Sequence, residues 1–139
     1  MEPIRSEWPD KDYLEQVKSL AHKNSALLIF DEVSCGWRLR IGGVQEAVGV
    51  TPDMTVVAKA MSNGYPMGAV VGSREAMEPA GRMFVSSSYW SDNVGLIASL
   101  TTIQELKRRG AEQNFARIGE ALEDAINQAI ISSGLTGRV

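Results

Sequence analysis

An aspartate, Asp31, and a lysine, Lys59, stand 28 residues apart, each at the end of an apolar segment. The first segment, Ala26-Leu27-Leu28-Ile29-Phe30, runs into Asp31-Glu32-Val33, and the second, Thr55-Val56-Val57-Ala58, runs into Lys59. Both read as strands. A buried carboxylate and a buried amine, both delivered to strand ends, are the minimum equipment for pyridoxal-phosphate chemistry. The lysine forms a Schiff base with the cofactor aldehyde, and the aspartate partners the pyridinium nitrogen.

The flanks give the pair its weight. Lys59 interrupts a stretch that is otherwise apolar or small, Val56-Val57-Ala58 before it and Ala60-Met61 after. A lysine so placed is predicted to snorkel or to be partly desolvated, and desolvation favours the nucleophilic free amine. Gly64, Pro66 and Gly68 shape the following loop tightly, as a bound ligand requires. Other readings stay open at this point. A strand-end aspartate also caps loops and helices, and Asp31-Glu32 has the form of a Walker B element. That last form needs a Gly-x-x-x-x-Gly-Lys-Ser/Thr loop, which the chain does not contain. His22, beside Lys23, reads as solvated or partly packed, and Cys35 has no histidine nearby to activate it. Ser86-Ser87-Ser88, ahead of a helix, reads either as a plain loop or as hydroxyls and N–H groups that hold a phosphate.

The elements that must position these residues follow from periodicity. Asp10 is the expected cap of a first helix carrying Leu14, Val17, Leu20 and Ala21 and ending near Asn24. The unalternating run Ala26 to Phe30 predicts a strand covered on both faces, as in a parallel sheet. Gly36, Gly42, Gly43 and Gly49 mark a long irregular stretch that closes at Val50-Thr51-Pro52-Asp53. After the Thr55 to Ala58 strand and the Ser62–Gly68 loop come expected strands at Ala69–Gly72 and Met83–Val85. Asp92 caps an expected helix carrying Val94, Ile97, Leu100, Ile103 and Leu106, closed by Gly110. Phe115, Ile118, Leu122, Ile126 and Ile130 set the period of the last helix, with Ala121, Ala125 and Ala129 on the same face. Alternating strands and helices define an α/β chain.

The bulk properties narrow the class. A chain of 139 residues, 44% hydrophobic and 22% charged, suits one globular domain at most. A net charge of -3 argues against a general nucleic-acid binder. The basic cluster Lys107-Arg108-Arg109 falls at a predicted helix C-terminus, where it complements the helix dipole. One cysteine allows no internal disulfide and no metal framework, and implies a reducing compartment. No apolar run reaches membrane-span length, and Met1-Glu2-Pro3-Ile4-Arg5 has no signal-peptide character, so the cytoplasm is the expected location. Both termini read as interrupted: Met1-Glu2-Pro3 resembles a strand's exit, and Gly134 to Val139 leads toward an element that does not follow.

Taken together, the motifs resemble the class III pyridoxal-phosphate aminotransferases, in particular their glutamate-1-semialdehyde aminotransferase-like branch. The anchors are Met1-Glu2-Pro3, Leu27 to Val33, Gly36-Trp37-Arg38 and Gly49-Val50-Thr51-Pro52-Asp53-Met54. They continue through Ala58-Lys59-Ala60, Asn63 to Ala69 and Ser86-Ser87-Ser88-Tyr89-Trp90. The resemblance implies a type I pyridoxal-phosphate fold with a mostly parallel sheet flanked by helices. Residues 1–139 would supply part of the large domain, without its N-terminal portion and without the small domain. It implies Lys59 as Schiff-base former and general base, Asp31 on the ring nitrogen and Val33 against the ring face. Ser88 would reach the cofactor phosphate of a partner subunit in a homodimer with a shared site. The implied reaction moves an amino group between an amino compound and a carbonyl. The alternative is a non-catalytic chain that binds the cofactor weakly or only forms subunit contacts. One departure stands out: Cys35 occupies the place where the family usually carries threonine.

Overall fold

Helix α1, Tyr13–Lys23, opens the computed structural model, which describes residues 9, 10 and 12–139. Met1-Glu2-Pro3, one anchor of the resemblance, lies outside the described residues. Leu14, Val17, Lys18 and Ala21 form the half-buried stripe of α1, while Leu20, expected in that stripe, is exposed. The expected cap also moves. Asp12 holds the cap position, and Asp10 contributes only a backbone turn, its carbonyl accepting the Tyr13 N–H at 3.0 Å.

The helix ends in a Schellman motif built on Ser25, whose φ is +55°. Ala26 N–H donates to Ala21 O at 2.9 Å and Ser25 N–H to His22 O at 3.0 Å. That closure shortens the first strand. Ala26 belongs to the helix cap, and Leu28 N–H is taken by the Asp53 carboxylate at 2.7 Å, so strand β1 spans Ile29–Glu32 rather than starting at Ala26. The stretch expected to be irregular contains a short helix, α2, Val44–Val48, before strand β2, Met54–Val57.

β1 and β2 pair in parallel, with Asp31 opposite Val56 and Glu32 opposite Val57. After β2 the chain makes a 3₁₀ turn, Lys59–Met61, and a loop, then returns antiparallel to β2 as strand β3, Ala69–Gly72. The three-stranded sheet is therefore mixed, in the order β1-β2-β3. Phe30, Glu32, Thr55 and Val57 share one face, which carries the burial. Ile29, Asp31, Met54 and Val56 share the other, and Ile29 remains 52% exposed. The expectation of a first strand covered on both faces is not met at Ile29 and Asp31, which are both exposed.

Helix α3, Arg74–Met77, is capped by Ser73 and runs into a 3₁₀ turn, Glu78–Arg82. Met83–Val85 is not a strand. Among the described residues it pairs with no strand, and Phe84 is 94% exposed. Helix α4, Asn93–Arg108, is capped as the sequence predicts, with Asp92 Oδ1 accepting the Val94 N–H at 2.8 Å. Gly95 lets its first turn press on the loop before β3, since a Cβ there would lie 2.7 Å from Pro66 O. Gly110, at φ +58°, closes α4 as expected, its N–H donating to Lys107 O at 3.2 Å, and is at once the residue from which helix α5, Ala111–Ser132, starts. Glu112 ties α5 to the loop before α2 by accepting the Ile41 N–H and pairing with Arg40 at 3.5 Å. The periodic face of α5 is present, yet Phe115, Ile118 and Leu122 are all largely exposed.

Candidate functional site

The parallel pair β1-β2 carries Asp31 and Lys59 to the same edge. Asp31 is the next-to-last residue of β1, and Lys59 lies two residues past the last of β2. Ligands of α/β sheets sit in just this place, beyond the carboxyl ends of parallel strands.

Local structure orients each group. The expectation of a buried carboxylate is corrected here: Asp31 is exposed, and its Oδ1 accepts the Val33 N–H at 3.0 Å, which turns the carboxylate at the strand end. Its other oxygen has no protein partner among the described residues. Lys59 has a φ of +46°, a left-handed conformation that side-chain-bearing residues avoid. The turn holds it there: Met61 N–H donates to Ala58 O and Ser62 N–H to Lys59 O, and fully buried Ser62 donates its hydroxyl to Tyr65 O at 2.6 Å. Such strain persists where surrounding contacts over-determine it, and it gathers at functional sites. The Lys59 amine donates to Ser34 Oγ at 2.6 Å.

Partial desolvation of Lys59 is corrected by the structure. The lysine is exposed, because the 3₁₀ turn rotates Met61 and Ser62 into the core and leaves residue 59 outward. A cleft of about 1160 Å³ opens beside it, lined by Trp37, Arg38, Lys59, Tyr65, Thr102 and Glu105 among others. Asp31, Val33 and Ser88 are not in that lining. Val33 is half-buried directly after β1, within the turn that Asp31 closes. Ser88 sits apart, exposed in the turn before α4. Thus Ser34, three residues past Asp31, is the residue of this segment that meets Lys59, and Ser88 makes no hydrogen bond to either among the described residues.

Two residues that sequence reasoning passed over shape the site. Ser34 is the partner of Lys59, and nothing in its type or neighbours marks it. Glu32 is legible in hindsight, since strand alternation puts it on the face opposite Asp31. It is only 1% exposed, and its Oε2 accepts the Val44 N–H at 2.8 Å, capping α2 from a distance. Gly43 makes room for it at φ +91°, where a Cβ would stand 2.9 Å from Glu32 Oε1. Near the cleft, hydrogen bonds from Arg108 and Arg109 hold the Glu105 carboxyl down at about 2. Burial pushes the Cys35 thiol up, away from the nucleophilic thiolate.

His22 and Asp53 form a structural clamp behind the site, 2.9 Å apart at their closest. The His22 hydrogen bond, and then the Leu28 N–H, lower the Asp53 carboxyl below its ordinary value. A lowered carboxyl stabilises the fold above the ordinary value and loses that contribution as pH falls through the folded one. The loss is therefore expected below about pH 4. Urea midpoints at about pH 5 and about pH 2.5 should differ less in Asp53→Asn than in the unsubstituted chain. Among the described residues no group of three or more His, Cys, Asp or Glu could hold a metal ion, and no helix is long and apolar enough to cross a membrane.

Residues 1–133 match the family described as Aminotransferase class-III. The chain belongs to the class III aminotransferases. It is 40% identical over 123 residues to glutamate-1-semialdehyde 2,1-aminomutase 2 of Brevibacillus brevis, covering 84% of this chain and 29% of that protein. It is 38% identical over 128 residues to 3-aminobutyryl-CoA aminotransferase of Cloacimonas acidaminovorans, covering 91% and 31%. An omega-transaminase from Sphaerobacter thermophilus superposes with a TM-score of 0.84 at 30% identity, over 95% of this chain and 31% of that one. A transaminase solved with PLP bound superposes at 0.81 with 27% identity, over 90% and 30%. This class III chain thus spans about 30% of the length of the relatives it matches. Its α/β architecture, a mixed sheet flanked by helices, is that of part of a pyridoxal-phosphate-dependent transaminase fold.

Proposed function

We propose that this chain carries the lysine and the aspartate of a pyridoxal-phosphate site, within a protein that moves an amino group between an amino compound and a carbonyl. The observation that carries the reading is the placement of Lys59 and Asp31 at the carboxyl ends of neighbouring parallel strands in a class III aminotransferase chain. The side chains fit such a cofactor. An exposed primary amine stands ready for an aldehyde, and an exposed carboxylate keeps one oxygen free of protein partners among the described residues.

When bound, pyridoxal phosphate supplies an aldehyde for amine exchange and a ring that withdraws electrons from the substrate carbon. Lys59 Nζ attaches the cofactor and, when free, takes a proton from that carbon and returns one. Asp31 keeps a proton on the ring nitrogen. At an effective dielectric of about 20, opposite charges about 4 Å apart attract by roughly 4 kcal/mol at the upper end, enough to hold that proton at neutral pH. Val33 packs against the ring. Ser88, exposed in the turn before α4 and absent from the cleft beside Lys59, offers its hydroxyl to the cofactor phosphate of a partner subunit in a homodimer. A cytoplasmic location completes the reading.

Absorption spectroscopy tests it. Adding pyridoxal phosphate to the purified chain should produce a visible band, and an amine donor should discharge that band as the amino group moves. A flat spectrum would overturn the assignment. A second reading is that the chain alone binds the cofactor weakly or only makes subunit contacts. It is favoured by the exposed apolar residues Phe84, Trp90, Ile97 and Leu100, which flank Ser88 in the chain. A weak band that no donor discharges would select weak binding, and a flat spectrum would select subunit contacts alone.

A further inference from the structure

Ser34 receives contacts through two of its atoms. Its hydroxyl accepts from Lys59 Nζ at 2.6 Å, and its carbonyl accepts from Arg38 Nε at 2.7 Å. The backbone around it is fixed: Gly36 N–H donates to Glu32 O at 2.9 Å and Arg38 N–H to Cys35 O at 3.2 Å, with Cys35 and Glu32 buried on either side. Gly36 has no space for a side chain, since a Cβ would meet Glu32 O at 2.8 Å. The hydroxyl therefore sits on a rigid turn, whereas Lys59 reaches it through a long flexible chain that loses rotamer freedom when held.

We propose that Ser34 is the positioning residue for Lys59, holding the free amine at the strand ends before the cofactor is attached and after a substrate amine displaces it. The proposal rests on the reading of Lys59 as the attachment lysine. Attachment joins Nζ to the aldehyde carbon and releases the aldehyde oxygen as water, with both amine hydrogens. The rate of that step depends on the amine already standing in place. Ser34 acts on where the nitrogen waits and not on the affinity for the cofactor.

Two rates and one affinity test this in the 139-residue chain. The first rate is the growth of the visible band after mixing with pyridoxal phosphate in the unsubstituted chain, and the second is the same rate in Ser34→Ala. The affinity is that for 4′-deoxypyridoxine 5′-phosphate, a cofactor analogue with no aldehyde. Ser34→Ala is expected to slow attachment about five- to tenfold, the loss of one hydrogen bond, while analogue affinity stays unchanged. Ser34→Thr should restore the rate, and Ser34→Cys, close in size but a weak acceptor, should behave as the alanine variant if that one folds poorly. An unchanged attachment rate would overturn the assignment alone. An equal fall in rate and in analogue affinity would make Ser34 a cofactor contact or a scaffold residue and would also overturn it. Absence of any attachment in the unsubstituted chain would remove the reading of Lys59 and this proposal together.

Discussion

Lys59→Ala is expected to abolish covalent capture of pyridoxal phosphate, removing the visible band and all borohydride-stable label. The residue supplies the only primary amine on the turn that follows β2, and the other four lysines, Lys11, Lys18, Lys23 and Lys107, lie elsewhere in the chain. Lys18 in particular is committed to the Thr51 carbonyl at 2.8 Å. Fold stability should hardly fall. The lysine is exposed, and alanine in its place loses only the hydrogen bond to Ser34 while leaving the left-handed backbone to the surrounding turn. A melting curve beside the absorption spectrum separates the two effects: capture vanishes, and the melting temperature moves little. Lys59→Arg should fail in the same way, because a guanidinium stays charged and forms no Schiff base at neutral pH.

Glu32→Ala is expected to have the opposite profile, a large loss of stability. Its carboxylate is 1% exposed and holds the Val44 N–H that starts α2. Truncation leaves that donor buried without a partner and opens a cavity beside Gly43. Together these effects cost on the order of 2–4 kcal/mol. For a domain of this size that corresponds to a fall of roughly 10 °C in melting temperature. Glu32→Gln keeps an acceptor for Val44 and should recover much of the loss. Because Glu32 also accepts the Gly36 N–H through its own carbonyl, loosening it should disorder the turn that carries Ser34. Chemical denaturation of the two variants, read by circular dichroism, checks the difference.

The sequence carried Asp31 and Lys59 because strand ends can be read from apolar runs, and the α/β class because helical and extended periods alternate. Asp92 was legible as a cap for the same local reason. What failed was decided by distant partners. The first strand lost Ala26 to a Schellman closure built on Ser25, which lacks the usual glycine signal. Leu28 was drawn off the ladder by Asp53, 25 residues away. Met83–Val85 has strand-forming residues but pairs with no strand among the described residues, and propensity alone does not make a sheet. Exposure of Lys59 depended on a 3₁₀ turn that apolar flanks on both sides disguise. Ser34, an ordinary serine in a loop, acquires its role only when β1 and β2 lie side by side.

Borohydride reduction of the unsubstituted chain with pyridoxal phosphate, followed by peptide mapping, bears on the whole reading. The result expected is a single pyridoxyl label on Lys59, lost in Lys59→Ala without reappearing elsewhere. A label on Lys11, Lys18, Lys23 or Lys107, or none on any lysine, would contradict it.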